Sequence, residues 1–230
     1  MFPHFEERPS DSPFVEQIWM TQSERPGSFT SISTVFWSMV IAKCRGRISI
    51  SFHGPETGAT CKDFPSEAEW FGITFKLGTF VPAILPGSLI DGYIVLPATS
   101  ERSFSLCHSE WQFPNFENAD TFVDRLVRAG ILEHEPIVNA FHQGRSQSQS
   151  LRTVQYRFLR STGLSQRTIR QIERARYATI LLKQGVSILD TVYEAGYSDQ
   201  PHLTRSLKHF IGHTPAEIPS TPIIALHTST

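Results

Sequence analysis

Cysteine is scarce in this chain of 230 residues: Cys44, Cys61 and Cys107 are an odd number at wide spacing, with no Cys-x-x-Cys pair. This argues against a disulfide framework or a cysteine-built zinc cluster and suits reduced thiols, so a cytoplasmic location is expected. Long apolar runs are missing too. No stretch offers the roughly 20 apolar residues of a bilayer-spanning helix. The start, Met1-Phe2-Pro3-His4-Phe5-Glu6-Glu7-Arg8, has early acids and no apolar core, unlike a secretory leader. No Gly-x-Ser-x-Gly elbow accompanies the histidines, which leaves serine hydrolysis without support. His53, Cys61, Cys107 and His108 are the remaining candidates for metal or thiol chemistry. Without a paired-histidine helix they read as partly buried or solvated side chains, and no catalytic residue, metal or cofactor is expected.

Basic charge is missing from the first part of the chain. Residues 1–144 hold 10 Lys and Arg against 17 Asp and Glu, a balance of −7, while residues 145–230 hold 11 against 5, a balance of +6. Two readings follow: the C-terminal part meets a polyanion, or charges cluster by chance on solvated faces. With 40% hydrophobic and 11% aromatic residues, the chain can fill a sizeable core, and its length admits two modest domains.

Up to about Gln112 the signals favour strands. Val15 to Met20, Thr34 to Ala42, Ile48 to Phe52, Trp70 to Phe75 and Tyr93 to Leu96 are rich in β-branched and aromatic residues. Turns at Gly46, His53-Gly54-Pro55, Gly58, Lys76-Leu77-Gly78 and Pro86-Gly87 separate them at the short spacing of an antiparallel barrel or sandwich. Val81 to Leu89 can add a helical turn. From Asn118 the period changes: Phe122, Leu126 and Val127 recur at helical spacing, giving an amphipathic helix that ends near Gly130. Its stripe can pack on its own domain or against a second copy. Pro136 suits the first turn of a further helix, from about Glu135 to Gln143, before the polar stretch Arg145 to Gln149.

Ser150 can cap a helix whose residues Leu151, Val154 and Phe158 share one face, which puts Arg152, Tyr156 and Arg160 opposite. After Gly163, Ser165 can cap a longer helix to about Lys183, with the apolar stripe Ile169, Ile172, Ala175, Thr179 and Leu182. Ser187 and Asp190 have the form of a capping box for a short helix whose Ile188, Val192 and Ala195 face inward. Gly196 supplies a turn, and Ser198 restarts a helix with Leu203, Leu207, Phe210 and Ile211 buried. His202, Arg205, Lys208 and His209 then flank or oppose that face. A short helix, a glycine turn and a second helix exposing basic and amide groups is the arrangement that enters a major groove, where Arg suits guanine and Gln suits adenine. The plainer reading is a helical hairpin with wet charges.

The ordered segments Ser150-Leu151-Arg152-Thr153-Val154-Gln155-Tyr156-Arg157-Phe158, Thr162-Gly163-Leu164-Ser165, Ala195-Gly196-Tyr197-Ser198-Asp199-Gln200-Pro201-His202-Leu203-Thr204-Arg205 and Gly212-His213-Thr214-Pro215-Ala216-Glu217 resemble the signature of AraC/XylS transcription regulators. The last has its own mechanism: Thr214 caps, Pro215 takes the first helical position and Glu217 closes the box. The resemblance implies an α+β chain. Its β-rich N-terminal part is a cupin-like barrel or sandwich, followed by an all-α part with two helix-turn-helix subdomains joined by the helix from Ser165 to Lys183. It further implies that Arg152, Gln155 and Tyr156 face bases from the first recognition helix and Gln200, His202, Thr204 and Arg205 from the second. Arg160 and Lys208 suit phosphates. Two departures stand out: the turn from Gly144 to Ser150 is longer than usual in the family, which loosens the first unit or changes its docking, and Tyr156 stands where a basic residue is common.

The expected domains are residues 1–117, a regulatory domain that senses a small-molecule effector or mediates a homodimer; 118–132, a connecting helix also available for dimerisation; 133–219, which binds double-stranded DNA; and 220–230, a flexible tail. The segment Trp70 to Gly78 reads as a core strand with its turn. The chain is expected to be a sequence-specific regulator with no enzymatic activity. Two other readings stay open: a barrel that catalyses or holds a metal, and a protein-interaction adaptor with weakened DNA binding.

Overall fold

The computed structural model describes residues 4–84, 86–138 and 150–221. The chain divides into two compact units that alternate along the sequence. One holds Met1–Gly27, Phe36–Pro55 and Phe64–Ser165; the other holds Ser28–Val35, Glu56–Asp63 and Gln166–Thr230.

The first unit is built on a six-stranded antiparallel sheet in the order β1 (His4–Arg8), β2 (Val15–Ser23), β7 (Ala68–Phe75), β4 (Ser38–Cys44), β5 (Arg47–His53) and β9 (Tyr93–Leu96). Alternation follows the two-residue period of a pleated strand. Met39 and Ile41 of β4, Ile50 and Phe52 of β5, and Ile73 and Phe75 of β7 are buried on one face. On β2 a register shift between Val15 and Gln17 lets Val15 and Ile18 both turn inward.

The amphipathic segment becomes α1 (Ala119–Arg128), which lays Ala119, Phe122, Val123 and Leu126 into this core. Burying side chains such as Phe122 and Leu126 contributes roughly 1.5 to 3 kcal/mol each. The stripe is thereby used inside its own unit. Arg8 ties β1 to the start of α1: its Nη1 donates to Asp120 Oδ2 at 2.7 Å and its Nε and Nη2 donate to the Phe116 carbonyl. Two small antiparallel pairs extend the unit: the hairpin β10 (Ser103–Leu106) with β11 (Ser109–Gln112), and the long-range pair β8 (Thr79–Phe80) with β12 (Glu133–His134).

The sequence reading ran one strand from Thr34 to Ala42, but β4 begins at Ser38. The preceding residues through Val35 belong to the other unit, where Thr34 bridges to Glu56. The turn expected between Val81 and Leu89 is a 3-10 helix at Pro86–Leu89. Of the helix expected from Glu135 to Gln143, residues 136–138 are helical, Glu135 precedes the helix, and residues 139–143 lie outside the described residues, as does the long turn from 144 to 149. The tail is described only to Thr221.

After α2 (Leu151–Thr162), which belongs to the first unit, the second unit takes α3 (Gln166–Lys183), α4 (Ile188–Glu194), α5 (Gln200–Phe210) and a 3-10 turn at Ile218–Ser220. It also takes most of the ribbon β3 (Gly27–Ser31) with β6 (Thr60–Phe64) from the N-terminal half. The chain is thus β-rich first and helical after. No helix among the described residues is long and apolar enough to cross a membrane.

Candidate nucleic-acid interface

In the first unit, Ser150 caps α2, its Oγ accepting from the Thr153 N–H at 3.2 Å, and Gly163 closes the helix in the left-handed conformation. Val154 and Phe158 are buried, and Arg152, Gln155, Tyr156 and Arg160 are exposed, Tyr156 at 64%. Leu151 departs from the expected packing face: it is 81% exposed. Helical side chains lean toward the N-terminus, so at the first position this one reaches past the helix end and the stripe begins at Val154. Arg157 is already engaged, donating Nε and Nη2 to the Glu135 carboxylate at 3.0 and 2.6 Å.

In the second unit, α3 buries the whole stripe Ile169, Ile172, Ala175, Thr179 and Leu182. It also buries Arg176, which sequence reasoning missed; its Nη1 donates to the Ser33 carbonyl at 3.0 Å. Across from it, α4 starts with the expected box: Ser187 Oγ accepts from the Asp190 N–H at 3.1 Å and donates to Asp190 Oδ2 at 2.6 Å. The fully buried side chain of α4 is Thr191, while Ile188 and Val192 are half-buried. The turn after α4 is closed by two bonds, Tyr197 N–H to the Val192 carbonyl at 2.9 Å and Gly196 N–H to the Tyr193 carbonyl at 3.1 Å. This Schellman pattern needs a left-handed residue, and Gly196 supplies it with φ of 67°.

The next helix is capped by Asp199, one residue later than expected at Ser198, because Asp199 Oδ1 reaches the His202 N–H at 2.7 Å. That backbone bond holds the Asp199 carboxyl below the usual range, with Ser198, Arg205 and His202 adding to the effect. Leu203, Leu207 and Phe210 are buried on α5 and Ile211 follows them. Gln200, Arg205, Lys208 and His209 are exposed; His202 and Thr204 are half-buried. Tyr197 packs edge-on against His202 with centroids 5.1 Å apart and bonds Ser206 at 2.9 Å, and burial pushes its phenol pKa up. At the far end Glu217 accepts the Thr214 N–H at 2.7 Å, half of the box expected there, and the helical turn begins at Ile218 rather than at Pro215.

All nine predicted contact residues are therefore on two helices, four on α2 and five on α5, each opposite or beside a buried face. Sequence reasoning passed over Arg174 of α3, whose guanidinium lies 4.4 Å over the Tyr197 ring. It also passed over the ribbon. Ser33 N–H donates to the Phe210 carbonyl and Ala59 N–H to the His209 carbonyl, both at 2.8 Å. These are carbonyls of the last turn of α5, which have no partner within their own helix.

The four metal or thiol candidates do not converge. His53 stacks on Tyr93 and bonds Ser51, Cys61 is exposed on β6, and Cys107 and His108 occupy the tight turn between β10 and β11 with φ of 50° and 63°. Among the described residues no cluster of three metal-ligating side chains occurs. An apolar cleft in the first unit, lined by Trp37, Pro55, Phe80, Val81 and Leu89, encloses about 10 Å³, room for one water-sized body.

Residues 146–219 match the family model described as "Helix-turn-helix domain". No curated protein and no solved structure matches the chain.

Proposed function

Residues 146–219 being a helix-turn-helix domain of AraC type, and the chain a DNA-binding transcription regulator, we propose that it reads sequence with two recognition helices, α2 and α5, in adjacent major grooves, under the control of its N-terminal half. The observation that carries the reading is α5: a helix fixed by the Gly196 turn, with one face buried through Leu203, Leu207 and Phe210 and with Gln200 and Arg205 left open to solvent. An arginine exposed at this position can offer two parallel donors, and a guanine edge accepts two. In this reading Gln200, His202, Thr204 and Arg205 face bases, and Lys208 meets phosphate. On α2, Arg152, Gln155 and Tyr156 face bases and Arg160 meets phosphate. Double-stranded DNA is the partner, and successive major grooves on one of its faces lie roughly 34 Å apart.

Control by the N-terminal half is supported by the ribbon. An effector or partner that favours one arrangement of β3 and β6 over another would act on the end of α5 through Ser33 and Ala59, which flank these strands and whose backbone N–H groups cap it. Genomic footprinting tests the central claim. Wild type protects two adjacent groove segments. Arg205→Ala loses roughly 1 to 3 kcal/mol of discrimination at one base position, and Arg152→Ala does so one turn away. A footprint unchanged in both variants would overturn the two-helix reading.

A further inference from the structure

Between α3 and α5 lies a groove of about 330 Å³, bordered by Gln171 and Arg174 of α3 and by His202, Arg205, Ser206 and His209 of α5. It is open to solvent and far larger than the one-water cleft of the first unit. Its charged and titratable borders are two arginines and two histidines, with no carboxylate among its lining residues. The Arg174 guanidinium carries five donors: Nη1 donates to the Gly196 carbonyl at 3.3 Å, and Nε is buried away from the groove. A concave surface bordered by two guanidinium groups and by neutral donors, with no carboxylate, fits an anion.

We propose that this groove seats a phosphodiester of the DNA backbone, held by Arg174 with Gln171 and His209, so that the long helix α3 is itself part of the DNA contact. The inference rests on the reading of α5 as a recognition helix. A helix with its side chains is 10 to 12 Å across and the major groove is about 12 Å wide, so the flanks of an inserted helix face the bordering phosphates. The flank of α5 that carries Ser206 and His209 borders the groove with α3. A strand passing this flank meets Gln171 and Arg174 before it meets solvent. The groove therefore adds affinity without sequence preference, whereas Arg205, on its border, also reads a base.

The test is the salt dependence of binding, measured with the full chain on a genomic fragment that the wild type footprints. Each phosphate contact contributes about 0.9 to the slope of log affinity against log salt. Arg174→Gln is expected to lower the slope by about that amount and weaken binding roughly tenfold or more at moderate salt. Its sequence discrimination should stay intact. Arg174→Lys keeps the charge and should restore most of the slope, which a role confined to stacking on Tyr197 would not do. Gln171→Glu leaves that stack untouched, puts a carboxylate in the groove and should weaken binding to all sequences alike, so it decides the matter should Arg174→Gln unfold. Wild-type slope and affinity in Gln171→Glu, or in a folded Arg174→Gln, overturn the proposal while leaving α5 as the reader. A wild type without salt-sensitive DNA binding overturns both.

Discussion

At the scale of single residues, Asp199 joins stability to the reading helix. Its carboxylate accepts the His202 N–H and lies at the positive end of α5, where a negative charge is favoured. The pKa is depressed in the folded state, so the stability this charge contributes is present above the ordinary carboxylate value, roughly 4. It is lost as pH falls through the depressed value. Asp199→Asn keeps a capping oxygen and removes the charge. Its melting temperature should fall below that of the wild type at neutral pH, and the gap should close in acid. Thermal unfolding across that range checks it; an equal gap throughout means the charge plays no part. Several such local bonds were legible in the sequence, because a cap and its partner are three residues apart: Ser150 and Ser187 cap as expected, and Glu217 reaches back to the Thr214 N–H. Arg176 was not legible. A charged side chain on a helix reads as solvated, and the carbonyl that justifies its burial belongs to Ser33, 143 positions away.

At the scale of elements, the strands that could be read were those whose own composition insists on burial. Val15 to Ser23, Arg47 to His53 and Ala68 to Phe75 are rich in β-branched and aromatic residues, and so is Tyr93 to Leu96, although Tyr93, Ile94 and Val95 stay exposed. β1, β3 and β6 went unread because His-Phe-Glu-Glu-Arg, Gly-Ser-Phe-Thr-Ser and Thr-Cys-Lys-Asp-Phe have no such pattern, and only their partners make them strands. Of the candidate site, α5 was readable almost in full, whereas the groove with α3 depends on which helices pack together. The turns that orient α5 make a quantitative contrast. Gly196 has φ of 67° and open space where a Cβ would go, so Gly196→Ala should cost only the backbone penalty, about 1 to 2 kcal/mol. Gly212 has φ of 82°, and a Cβ there would come within 2.9 Å of Thr30 Cγ2 and 3.3 Å of Ala59 Cβ. Gly212→Ala adds crowding to the same strain and should cost distinctly more. Urea unfolding of both variants gives the order, and equal losses would mean the ribbon yields freely at that point.

At the scale of the whole molecule, covalent order and cooperative order differ. Ser28–Val35 and Glu56–Asp63 leave the chain of the six-stranded sheet and fold with the last three helices. Their grip on α5 is backbone to backbone, at Ser33 to Phe210 and Ala59 to His209, with Arg176 holding the Ser33 carbonyl from α3. Groups joined in this way should open together. Leu207 is fully buried on α5, and Leu207→Ala should cost about 2 kcal/mol or more, which is roughly thirtyfold faster opening. Hydrogen exchange then separates two outcomes. Amides in 28–35 and 56–63 should speed up alongside those in 200–211, while 38–53 and 68–75, in the sheet, keep their wild-type rates. Should the two ribbon segments follow the sheet instead, the ribbon is an appendage of the N-terminal unit that merely touches α5, and control of DNA reading cannot pass through it.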